Sequence, residues 1–117
     1  MDETPASNTN ADLRYREKRT VPRYTFIASV TLTESTTQAR MSCRISEISR
    51  KGCYVDILNT LPVGTMIDLV ISRDQGTLCV TGRIIYVQEG MGMGVAFTEL
   101  AGDQAKILDQ WLAEIST

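Results

Sequence analysis

The stretch "YTFIASVTLT", Tyr24 to Thr33, sets the reading of the fold, because Phe26, Ala28, Val30 and Leu32 alternate with polar neighbours. A period of two sends successive side chains to opposite faces, so this is a strand with one face buried and one wet. After the polar turn "ESTTQ", Met41, Cys43 and Ile45 repeat the pattern. "GCYVDI" from Gly52 makes a short third strand, "LPVGT" a loop, "MIDLVISR" a fourth strand and "DQGT" a turn into the long "LCVTGRIIYVQ". The glycine-spaced turn "EGMGMG" leads into a sixth strand, "VAFTEL". Short strands punctuated by turn signals predict an all-β, antiparallel barrel or sandwich. The period then changes. Ile107, Leu108, Trp111, Leu112 and Ile115 share one helical face, which predicts a C-terminal helix over 103–116 capped by Asp103. Trp111 is expected either to plug the barrel or to pack on its outside.

Upstream of the first strand the character shifts twice. Residues 1–11 lack hydrophobic periodicity and read as a disordered tail. From Leu13 to Tyr24, "LRYREKRTVPRY" holds five basic residues against one acid, a local charge of +4 against −2 for the whole chain, which leaves −6 elsewhere. Pro22 keeps Val21 out of helical geometry, so an arm over 12–23 enters the barrel extended. The chain of 117 residues therefore reads as a tail followed by a single domain over 12–117, made of the arm, a barrel over 24–100 and the helix. A cationic arm on an acidic body suggests a local anionic partner, whereas a DNA or RNA binder is more often basic over a whole face.

Several function classes drop out. With no histidine in the chain, Ser-His and Cys-His nucleophile pairs and His-containing zinc sites are unavailable, and no cofactor or metal site is expected. Neither Ser49 nor any cysteine has a visible base partner, so the chain does not read as an enzyme. The odd set of Cys43, Cys53 and Cys79 reads as buried free thiols in a reducing compartment. No stretch approaches the roughly 18 consecutive apolar residues of a membrane span, and the N-terminus is polar and acidic. A cytoplasmic protein without membrane insertion is the expectation.

Two stretches resist a purely structural account. In "RTVPR", Arg19 and Arg23 stand four positions apart around a proline, and guanidinium groups match phosphate oxygens and the O6/N7 edge of guanine in bidentate geometry. In "EISRKG", Glu47 to Gly52, Ile45 and Ile48 both seek burial, so the alternation must break by a bulge or bend that leaves Glu47 at the rim. Ser49 can donate or accept a hydrogen bond there, and Gly52 permits either a backbone conformation closed to other residues or a close approach. By themselves these pieces fit a solvated linker and a capped turn as well as they fit a binding site.

Their order and the intervening hairpin resemble the PilZ domain, whose motif is R-x-x-x-R in an N-terminal arm followed by [DN]-x-S-x-x-G about two strands later. The likeness continues through "LPVGTMIDLVI", "VTGRIIYV" and "GMGVAF" and covers about Lys18 to Ile115. The resemblance implies a six-stranded antiparallel β-barrel of the split-barrel kind with a C-terminal α-helix, binding the bacterial second messenger cyclic di-GMP. It also implies roles. Arg19 and Arg23 would grip phosphates and guanine edges, Glu47 would meet the guanine N1 and N2 donors, Ser49 would add a hydrogen bond, and Gly52 would leave room for the base. Lys18 would add charge near the phosphates. Glu47 stands where the family has Asp or Asn, one methylene longer. Two expectations follow: a nucleotide sensor that signals to a separate effector protein, or a PilZ-like interaction module that has lost or weakened nucleotide binding.

Overall fold

The computed structural model describes residues 21–74 and 76–116. Six strands form, β1 Tyr24–Glu34, β2 Arg40–Ile48, β3 Gly52–Asp56, β4 Met66–Arg73, β5 Gly76–Gln88 and β6 Gly92–Glu99, followed by helix α1, Gly102–Ile115. All neighbours are antiparallel, and the order β1-β2-β3-β6-β5-β4 closes into a barrel through the β1–β4 pair. Closure leaves few exposed sheet edges, which is how a small all-β domain avoids pairing with other chains. No helix among the described residues is long and apolar enough to cross a membrane.

Strand alternation builds the core. Phe26, Ala28, Val30 and Leu32 of β1 all point inward, as do Ile67, Leu69 and Ile71 of β4 and Leu78 and Val80 of β5. Each of these side chains except Ala28 contributes roughly 1.5–3 kcal/mol on burial. The break expected before Ile48 is present: the β2–β3 register shifts between Ile45 and Glu47, and the β1–β2 register shifts between Thr25 and Ala28. One extra residue, Ser46, lets Ile45 and Ile48 both be buried and turns Glu47 outward.

Helix α1 packs against β5, and its Leu108, Trp111 and Leu112 enter the same apolar cluster as the barrel interior. Trp111 is 8% exposed, and its indole lies 5.2 Å from the Phe26 ring at a tilt of 32°. The expected stripe is therefore the docking face, and Trp111 belongs to the core.

Two expectations need correction. Ala101, in extended geometry, is the N-cap and makes no side-chain cap bond, so Asp103 does not cap the helix. Asp103 falls inside the first turn, where its carboxylate accepts the Gln104 amide at 3.0 Å and complements the helix dipole. Nor are all three thiols buried: Cys53 is, Cys43 is half-buried and Cys79 is exposed. Leu78 and Val80 take the inward positions of β5, which leaves Cys79 on the outward parity. Burial pushes the Cys53 thiol up to about 12 and raises that of Cys43.

Candidate functional site

The bulge that turns Glu47 outward also sets it beside the entry to β1. Thr25 pairs with Glu47 across the strands, and two residues earlier Arg23 Nη1 donates to Glu47 Oε1 at 3.0 Å. The same nitrogen lies 3.3 Å from the Tyr86 hydroxyl oxygen on β5. The side chains of Arg23 and Glu47 are 26% and 44% exposed, so the pair stands partly in water. Partial burial works against the Arg23 charge, but the hydrogen bond and charge of Tyr86, and then those of Glu47, outweigh it and raise its pKa.

Two tyrosines extend the cluster across the outer wall. Tyr54 of β3 and Tyr86 of β5 flank β6, both opposite Gly94, with ring centroids 6.2 Å apart. A Cβ at Gly94 would run into the Tyr86 ring, and one at Gly92 into the Tyr54 ring, so these glycines let the rings lie down on the strand. The Tyr54 hydroxyl donates to Gln88 Oε1. Burial first, then the neighbouring Tyr86, Asp56 and Glu47, raise the Tyr54 pKa, so its phenol keeps its proton at neutral pH. The shelf made by β2, β3, β6 and β5 thus offers a guanidinium for an anion, aromatic surface for a base, and a carboxylate for N–H donors.

The turn after Glu47 uses its polar residue on itself. Ser49 is 7% exposed, and its Oγ accepts the amides of Lys51 and Gly52 at 3.1 and 3.2 Å. The Ser49 amide in turn donates to the Gly52 carbonyl at 2.8 Å. A side chain at Gly52 would collide with the Val95 carbonyl of β6, whose neighbour two residues on, Phe97, donates its amide to Lys51 O at 2.8 Å. Of the two allowances expected for Gly52, the close approach is the one seen, and the group that approaches is the β6 backbone. Arg50, inside the same motif, reaches Asp109 of α1 at 2.8 Å.

Arg23 and Glu47, 24 residues apart in sequence, are therefore brought together. Ser49 and Gly52 lie in the turn that shapes the rim. Arg19 and Lys18 fall outside the described residues, as do the tail and the arm up to Thr20. Sequence reasoning missed Tyr54, Tyr86 and Gln88. A signal for Tyr86 was present in "RIIYV": consecutive isoleucines break alternation as Ile45 and Ile48 do, and the β5–β6 register shifts between Ile84 and Tyr86.

Comparison with known proteins places this geometry in context. The PilZ domain family matches residues 16–114. Among solved structures, the PilZ domain of YcgR from Escherichia coli, determined with c-di-GMP, superposes with a TM-score of 0.71 at 12% identity, covering 85% of this chain and 92% of that one. The PilZ domain of CeSA from a cellulose-synthesizing bacterium gives 0.64 at 16% identity, covering 82% and 99%. The Bacillus subtilis inhibitor of motility MotI/DgrA gives 0.70 at 15% identity over 83% of this chain, which spans only half of that longer protein. None of the curated protein sequences compared with it matches. At these identities the solved structures speak for the fold, whereas the family match covers most of the sequence. The chain, a closed six-stranded antiparallel barrel with one C-terminal helix, belongs to the PilZ domain family.

Proposed function

We propose that this chain is a non-enzymatic receptor that binds cyclic di-GMP on the shelf bearing Arg23, Glu47, Tyr54 and Tyr86 and signals to a partner protein. One observation carries the reading: the second arginine of "RTVPR" and the first residue of "EISRKG" meet at 3.0 Å on an open wall, beside two tyrosines. In this reading Arg23 takes a phosphate or a guanine edge, and Arg19 and Lys18 of the adjoining arm add cationic contacts. Glu47 accepts from guanine N1 and N2, and the tyrosines supply surface for a base. Ser49 and Gly52 act through the shape of the rim. The YcgR domain, determined with c-di-GMP, lends support by fold.

A second reading draws on the same contact. Glu47 already holds Arg23 within the protein, so a ligand has to take the guanidinium from it. If that exchange fails, the domain is a PilZ-like interaction module. Magnitudes favour the first reading. A partly exposed ion pair is worth about 0–1 kcal/mol, whereas a bidentate arginine–guanine contact is worth roughly 1–3 kcal/mol. Titration calorimetry on Arg23→Ala, Glu47→Asp and the unaltered chain separates the two. Receptor function predicts binding by the unaltered chain and loss of about tenfold or more in Arg23→Ala. Binding gained only in Glu47→Asp would establish the second reading.

A further inference from the structure

Away from the shelf, the barrel wall changes composition where β6 leaves the sheet. β6 pairs with β5 only as far as Thr81 and Glu99, while β5 runs back to Gly76 paired with β4. The chain then crosses to α1, whose Gln104 Oε1 accepts the Cys79 amide at 2.8 Å. Beside this junction lies a cleft of about 590 Å³, lined by Asp68 and Val70 of β4, Cys79 and Thr81 of β5, and Glu99 and Leu100 at the end of β6.

Its chemistry is one-sided. Val70, 40% exposed, and Leu100 give it apolar surface, and Asp68 and Glu99 bring two carboxylates. Among the described residues, no lysine or arginine lines it. Thr81 Oγ1 donates to Asp68 Oδ1 at 3.0 Å and so steadies that carboxylate through one oxygen. The neighbouring cation on β5, Arg83, turns its Nε toward the Met66 sulfur at 3.5 Å. Asp103, next to the Gln104 that holds the Cys79 amide, adds a further acid beside the junction.

We propose that this cleft docks a basic, extended peptide of a partner protein, with an apolar side chain against Val70 and Leu100 and lysine or arginine toward Asp68 and Glu99. Charge selects the occupant. An acidic peptide or a nucleic-acid backbone would bring like charge against two carboxylates. The cleft occupies the β4–β5 sector, whereas the Arg23–Glu47 contact joins the start of β1 to β2. Docking here therefore stands whether or not the shelf binds a nucleotide.

The test uses the full chain, isotopically labelled for amide NMR, and two sets of acetylated hexapeptides. One set alternates Lys or Arg with Leu, Ile or Val, and the other carries Glu or Asp in place of the cations. Members of the cationic set are expected to shift the amides of Val70, Cys79, Thr81 and Glu99, while the anionic set leaves them in place. Asp68→Asn combined with Glu99→Gln, near-isosteric changes, should weaken that binding about five- to tenfold. Val70→Asn, which adds no charge, should weaken it through the apolar contact, and each variant's own amide spectrum reports whether it is folded. The proposal is overturned if no cationic peptide moves these amides, if both sets move them equally, or if the folded carboxamide variant binds as tightly as the unaltered chain.

Discussion

The Ser49 hydroxyl accepts from two amides of the turn that follows Glu47. Losing it leaves the Lys51 and Gly52 donors short of a partner, so Ser49→Ala is expected to cost about 1–3 kcal/mol of stability, read by urea denaturation. Any accompanying loss of ligand affinity should then scale with the loss of turn structure. The thiols make a second contrast at this scale. Cys79 should react first with iodoacetamide in the native protein, and Cys53 only on unfolding, an order checked by peptide mass spectrometry. Burial holds the Cys53 thiol neutral up to about 12 in the fold, against an ordinary thiol value of 9.0 in the unfolded chain. Its contribution to stability is thus complete below about pH 9 and declines as pH rises from there toward 12. The urea midpoint of the unaltered chain should fall more steeply between about pH 8 and 10.5 than that of Cys53→Ala, and parallel curves would contradict this.

The attachments of helix α1 to the barrel differ widely in strength. Trp111 fills the core beside Phe26, while Asp109 meets Arg50 at the surface with side chains 49% and 59% exposed. Trp111→Ala should therefore cost about 3–5 kcal/mol and Asp109→Asn less than about 1 kcal/mol, measured by chemical denaturation. At the β3–β6 seam, Gly52→Ala is expected to destabilise by roughly 1–3 kcal/mol or more, since its Cβ would strike the Val95 carbonyl. The strands, apart from Gly92–Gly94 of β6, which had read as turn, together with the helix stripe and the bulge near Ser46, were legible in the sequence because each is a local pattern: a period of two, a period of 3.6, and two isoleucines three residues apart. Asp103 was misread as a cap because Ala101 takes the extended geometry two residues earlier, a choice of backbone that side-chain pattern does not reveal.

At the scale of the whole barrel, what makes the shelf is the placing of β6 between β3 and β5. The β3–β6 half of that placement is nonlocal, so the juxtaposition of Tyr54 and Tyr86 over Gly92 and Gly94 was not readable from spacing, even though each residue was in plain view. The Arg23–Glu47 contact stood closer to legibility, since the family motif already joined the two stretches, but the motif did not say that Ser49 and Gly52 would be occupied in shaping the turn. The same closure separates the aromatic shelf with its Arg23–Glu47 pair from the acidic cleft on the β4–β5 sector, so one small domain presents two surfaces of different character. The central claim is that the shelf is a nucleotide site. Isothermal titration calorimetry of the full chain with cyclic di-GMP at physiological salt tests it most directly. The account predicts a saturable isotherm of micromolar affinity or tighter, about 8 kcal/mol or more of binding free energy, and a flat titration would contradict it.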